Sequence, residues 1–160
     1  MLSSLKELLV EHLATDEPEH TREHTLRLAT AALLLEISRS DADMQKEELE
    51  LIRRRLRDRF DLDESEMDAL LDQAESSVDM SVSLHEFTRV VNDHLSRRER
   101  VHIVELLWQV AFADGVLDKH EEFYVRKIAD LLYVSQKDFI QAKHRAGYTG
   151  ETGLAGLGDE

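Results

Sequence analysis

At six points along this chain a Ser or Asp three residues ahead of an acid stands before a run of apolar residues at helical spacing: Ser4 and Glu7, Asp63 and Glu66, Ser83 and Glu86, Ser96 and Glu99, Asp118 and Glu121, Ser135 and Asp138. The spacing is that of a capped helix start, where the first side chain accepts from an exposed backbone amide and the acid reaches back while opposing the helix dipole. Breakers are scarce between these signals. There is one proline, Pro18, placed after Asp16-Glu17 where a first helical turn loses nothing by lacking an amide, and three of the six glycines fall in the last eight residues. No alternating strand pattern of any length interrupts the series. A chain punctuated in this way is expected to be almost entirely helical.

Apolar residues recur at helical spacing behind each start. The spacing predicts a first helix from Ser4 to Ala14 and a second from Asp16 to Arg39. After the Ser40-Asp41-Ala42-Asp43 turn comes a third, carrying Leu49, Ile52, Leu56 and Phe60 inward. A fourth follows the Asp63 cap through Met67 and Leu70, and a short fifth follows Ser83 through Phe87, Val90 and Val91. The sixth, from Ser96 through Val101, Val104, Leu107 and Trp108 to Ala111, reads as the central helix. Asp118 opens a seventh through Val125, Ile128 and Leu132, and Ser135 an eighth through Phe139 and Ala142. From Gly147 onward Gly, Thr and a terminal Asp-Glu offer no packing face, which predicts a flexible tail over 147–160.

Part of this order is duplicated. A displacement of 73 residues lays Asp41 on Asp114, Glu48 on Glu121 and Ile52 on Val125; one residue less lays Leu62 on Val134 and Met67 on Phe139. Two copies of about 45 residues are too few for a solenoid. The expectation is an all-α fold, a compact bundle of about seven to eight helices built from two pseudo-symmetric helix-turn-helix repeats, forming a single domain over residues 1–146.

The sharper copy of the turn, Ala113-Asp114-Gly115, is followed by a Glu seven after its Asp. Together with the fainter first copy, and with Leu84-His85-Glu86-Phe87-Thr88 followed by Arg100, Glu105, Leu106, Leu107 and Trp108, it resembles the tellurite-resistance protein B (TerB-like) domains, in particular the stand-alone bacterial members. The resemblance covers about residues 26–145, with Ala42 standing where the family's first turn usually has glycine. It implies an all-helical bundle, acidic residues proposed to bind a metal ion, a link to tellurite or other stress responses, and no settled enzymatic activity.

The chemistry available is limited by composition. Without cysteine there is no disulfide framework, thiolate metal site or cysteine nucleophile. Thirty-four acids against twenty bases, a net charge of -14, favour cations or basic partners over phosphate surfaces, so no nucleic acid is expected. Asp114, Asp118, Glu121 and Glu122 crowd the second turn, and Asp41, Asp43, Glu47 and Glu48 the first. Hard cations need several oxygen ligands, which such carboxylates provide. Neither turn has the ligand spacing of the calcium-binding helix-loop-helix. Capping and turn-making explain the same residues: Asp118 and Glu121 as a capping box, Gly115 as a left-handed helix end, Asp114 as a turn former. His20 and His24 lie four apart on one face, without the acid of a zinc-protease motif. His85 and His102 read as partly buried packing residues, and His120 adjoins the acidic turn. No nucleophile elbow or phosphate-cradling glycine loop is present, so no enzyme is expected.

A basic run, Arg53, Arg54, Arg55, Arg57 and Arg59, reads as a solvated helix face in which Glu50 pairs with Arg54, or as a docking surface for an acidic protein or a membrane headgroup. The N-terminus lacks the basic head and apolar run of a signal peptide, and the stretch 26–37 is too short to cross a bilayer, so a cytoplasmic protein is expected, with peripheral membrane association left open. The leading reading is a TerB-like domain that binds a divalent cation (Ca²⁺, Mg²⁺ or Mn²⁺) weakly through Asp114 and Glu121, with Asp41 and Glu48 as the mirrored pair and Asp118 and Glu122 as auxiliaries. Its rival is a metal-free protein-interaction or scaffold module whose acids only cap helices.

Overall fold

A computed structural model describes residues 19–39, 41–76, 80–112 and 119–147. Among them are seven helices and no strand: α1 (Glu19–Arg39), α2 (Lys46–Phe60), α3 (Glu64–Ser76), α4 (Met80–His94), α5 (Arg97–Ala111), α6 (Lys119–Leu131) and α7 (Gln136–Gly147). The helix expected from Ser4 to Ala14, the Asp16–Pro18 start and the tail beyond Gly147 lie outside the described residues. The contacts group the chain into two compact units, Met1–Ser96 and Arg97–Glu160.

The first unit is organised on α1, which packs against α2, α3 and α4. From Leu26 to Ser38 every residue but Arg27 is buried, so this helix has no solvent stripe over its C-terminal half, as a helix in the middle of a core must. Its buried hydroxyls are therefore satisfied internally. Thr30 Oγ1 donates to the Leu26 carbonyl and Ser38 Oγ to the Leu34 carbonyl, each at 2.7 Å, which spares two buried hydroxyls the cost of lost hydration. Glu36, only 2% exposed, accepts from Arg39 at 3.0 Å one turn on.

The remaining helices of this unit are one-sided. In α2 the buried residues Ile52, Leu56 and Phe60 recur every fourth position while Arg54, Arg57 and Arg59 are exposed, the separation of faces that lets a helix cover a core. In α4, Leu84, Phe87, Val90 and Val91 are buried. This helix begins at Met80, one turn before the cap expected at Ser83. Ser83 sits within it, because nothing between 80 and 83 is a glycine or proline that would stop propagation.

In the second unit α5 packs against α6 and α7. Ile103, Val104, Leu106, Leu107, Trp108, Val110 and Ala111 are buried, and they meet Tyr124, Val125, Ile128 and Ala129 of α6 and Phe139 and Ala142 of α7 in the core. Each fully buried large side chain contributes roughly 1.5–3 kcal/mol from removal of apolar surface. Trp108 anchors this packing, with Phe112 stacked at 5.7 Å and Phe139 tilted at 5.3 Å between ring centroids. The Lys143 ammonium stands 5.2 Å from its ring centre. Arg100 donates to the Leu132 carbonyl at 2.9 Å, supplying a partner to an end-of-helix oxygen that α6 itself cannot satisfy.

The duplication seen in the sequence is present in the turns. Asp61 and Tyr133 both adopt left-handed backbone, at φ 55° and 59°. The Leu62 amide then donates to the Arg57 carbonyl at 3.1 Å and the Val134 amide to the Ala129 carbonyl at 3.0 Å, the six-to-one bond that closes a helix end. The next helix opens on Asp63, whose Oδ1 accepts from the Glu66 amide at 2.8 Å, and in the second copy on Ser135, whose Oγ accepts from the Asp138 amide at 3.1 Å.

Candidate functional site

The first acidic turn joins α1 to α2 and is built from its own carboxylates. Asp41 Oδ1 accepts from the Asp43 amide at 2.9 Å while the Asp41 carbonyl accepts from the Met44 amide at 3.0 Å. Both bonds hold the chain in a turn that starts where the Asp41 amide meets the Ser38 carbonyl at 3.2 Å. Glu48 is the third residue of α2, and its Oε1 accepts from the Gln45 amide at 2.9 Å, the returning half of a capping box. Sequence reasoning assigned no cap here, because glutamine is outside the usual N-cap set. Asp43 and Glu47 are exposed; Asp41 and Glu48 are half-buried. A cation at this turn would compete with backbone amides for lone pairs of the two mirrored acids.

In the second turn Asp114 and Asp118 lie outside the described residues. Glu121, the third residue of α6, is 1% exposed, and Glu122 beside it is half-buried. Glu121 and Glu48 occupy equivalent positions in the repeat, so the same residue type at the same helix position is buried in one copy and only half-buried in the other. Burying a carboxylate costs several kcal/mol unless charge or hydrogen bonds compensate it. The donor set fits a hard cation in kind, being all carboxylate oxygen. Among the described residues no group of three or more His, Asp or Glu is assembled as a metal site.

The histidines and arginines follow expectation only in part. His24 Nε2 meets Glu66 Oε2 at 2.7 Å, and Arg97 meets Asp138 Oδ2 at the same 2.7 Å. The two pairs are copies: a displacement of 73 carries His24 to Arg97, and 72 carries Glu66 to Asp138. In each, the acid that follows the cap is held by the first helix of its own repeat. The offsets in the sequence contained this signal, which capping alone concealed. His85 is exposed, contrary to the packing role expected of it, because Leu84 and Phe87 take the inward face of α4. His102 is half-buried, with Nδ1 3.6 Å from Glu105. Glu50 pairs with Arg53 at 3.0 Å, three residues on, and not with Arg54.

A family model described as tellurite resistance protein TerB matches residues 27–144, running through both units. The chain belongs to the TerB family. No curated protein and no solved structure matches it. The TerB match spans both acidic turns and begins within the buried helix α1. No helix among the described residues of this TerB domain is long and apolar enough to cross a membrane.

Proposed function

We propose that this TerB-family domain binds a divalent cation weakly at its second acidic turn, with Glu121 and Asp114 as principal ligands and Asp118 and Glu122 as auxiliaries, and serves a response to tellurite or a related stress. The observation that supports the reading is the burial of Glu121 directly after a turn that supplies two further carboxylates. A cation of high charge density is the natural counterpart of carboxylates withdrawn from water, and Ca²⁺, Mg²⁺ and Mn²⁺ all accept an oxygen-only ligand set. Asp41 and Glu48 form a weaker mirrored site in this reading, since each already serves a backbone amide.

Calorimetric titration of metal-stripped protein with Ca²⁺, Mg²⁺, Mn²⁺ and Zn²⁺ tests it. Binding tighter than about millimolar is expected, abolished by Asp114→Asn with Glu121→Gln and retained by Asp41→Asn with Glu48→Gln. Absence of binding, or equal binding by the Asp114 and Glu121 variant, would overturn the reading and leave a metal-free interaction module whose buried Glu121 serves the start of α6.

A further inference from the structure

A groove of about 350 Å³ lies between α2 and α3, lined by Glu50, Arg53, Arg54, Arg57, Glu64 and Met67. The α2 positions are spaced by three, one and three residues, which puts them on a single helical face. Three guanidinium groups thus meet in one depression of a chain whose net charge is -14. Internal pairing accounts for only part of this charge. Arg53 is held by Glu50 at 3.0 Å and Arg57 Nε by Asp58 at 3.2 Å, whereas Arg54 is exposed and makes no ion pair or hydrogen bond among the described residues. A face arranged only for solvation would pair Arg54 with the acid one turn before it; here Glu50 is committed to Arg53.

We propose that this groove docks an acidic segment of a partner protein, with carboxylates received by Arg54 and Arg57 and an apolar side chain seated against Met67. Guanidinium forks receive carboxylates in paired hydrogen bonds. The two glutamates of the lining select the kind of anion. A concentrated charge such as phosphate would meet Glu50 and Glu64 together with the arginines and be repelled by them, whereas carboxylates spread along a peptide can each meet one arginine and keep clear of the glutamates. An anionic bilayer presents a flat array of phosphates, the same concentrated charge that Glu50 and Glu64 disfavour. The inference does not depend on the cation reading, because its residues belong to α2 and α3 and not to the second acidic turn.

The full chain is titrated into a fluorescein-labelled peptide of Asp, Glu and Leu, with anisotropy as the readout. Arg54→Glu combined with Arg57→Glu is expected to weaken binding more than about tenfold, and Arg54→Gln alone several-fold, while Arg59→Glu, a charge reversal on the same helix outside the groove and a larger charge change than Arg54→Gln, leaves it within about twofold; added salt weakens the wild type. Circular dichroism confirms that the variants are folded, and if the double reversal unfolds, Arg54→Gln carries the comparison. The proposal is overturned if the peptide does not bind, if Arg59→Glu weakens it as much as the groove variants, or if inorganic phosphate or vesicles rich in phosphatidylserine bind the groove in preference. Self-association lost in the same variants, without peptide binding, would equally overturn it and assign the groove to a second copy of the chain.

Discussion

The two copies of the repeat agree where the chain turns and differ where its acids meet water. At 61–63 and 133–135 the left-handed residue, the six-to-one amide bond, the capping acceptor and a cross-helix side-chain pair recur, while the returning carboxylate bond, from the Asp63 amide to Glu66 Oε1 at 2.9 Å, belongs to the first copy. At Glu48 and Glu121 the same residue type at the same helical position is half-exposed in one copy and buried in the other. The comparison teaches that the repeated element is a way of stopping one helix and starting the next. The carboxylate beside it is then available for a different use in each copy.

The comparison breaks first, if it breaks, in the core beneath the turns. Phe60 and Leu132 are equivalent and both at most 1% exposed, so Phe60→Ala should cost about 3–5 kcal/mol and Leu132→Ala about 2–5 kcal/mol in urea unfolding. A small loss at either would mean that its turn closes a looser core than its copy. The caps come next: Asp63→Ala and Ser135→Ala should each cost about 1 kcal/mol, and a gap between them wider than that would show that the shared geometry carries unequal weight.

A third pair of changes sharpens the comparison in the opposite direction. Tyr133 holds left-handed backbone with its side chain 78% exposed, a poor residue for that conformation and one with little packing to lose. Tyr133→Gly should therefore stabilise by about 0.5–1 kcal/mol in thermal or urea melts, and Asp61→Gly by less, since aspartate tolerates φ > 0 better. Smallest of all are the cross-helix side-chain pairs. His24→Ala and Arg97→Ala should each cost no more than about 1 kcal/mol, and the Arg97 effect should shrink as salt is added, because Arg97 is exposed and its charge is screened.

The helices were legible in the sequence because caps and apolar spacing are local. Ile52, Leu56 and Phe60, or Val125 and Ile128, are recognisable without knowing what they face. Contacts between helices were not legible in this way: His24 and Glu66 are 42 residues apart, and nothing at His24 itself announces a partner. The burial of Glu121 was hidden for the same reason, since a capping glutamate is ordinarily at the surface and only tertiary packing decides otherwise. Ser83 misled because a cap signal inside a helix-permissive stretch does not compel a helix to begin there. At Glu50 the sequence offered two arginines at workable spacing, and side-chain geometry chose the nearer.

Trp108 is the only tryptophan in the chain, fully buried in the second unit among Phe112, Phe139 and Lys143. Its fluorescence is consequently a private reporter on Arg97–Glu160, whereas far-ultraviolet circular dichroism sums the helices of both units. Followed together through one denaturation, the two signals measure whether the repeats melt as one cooperative body or in succession, with no label and no mutation required.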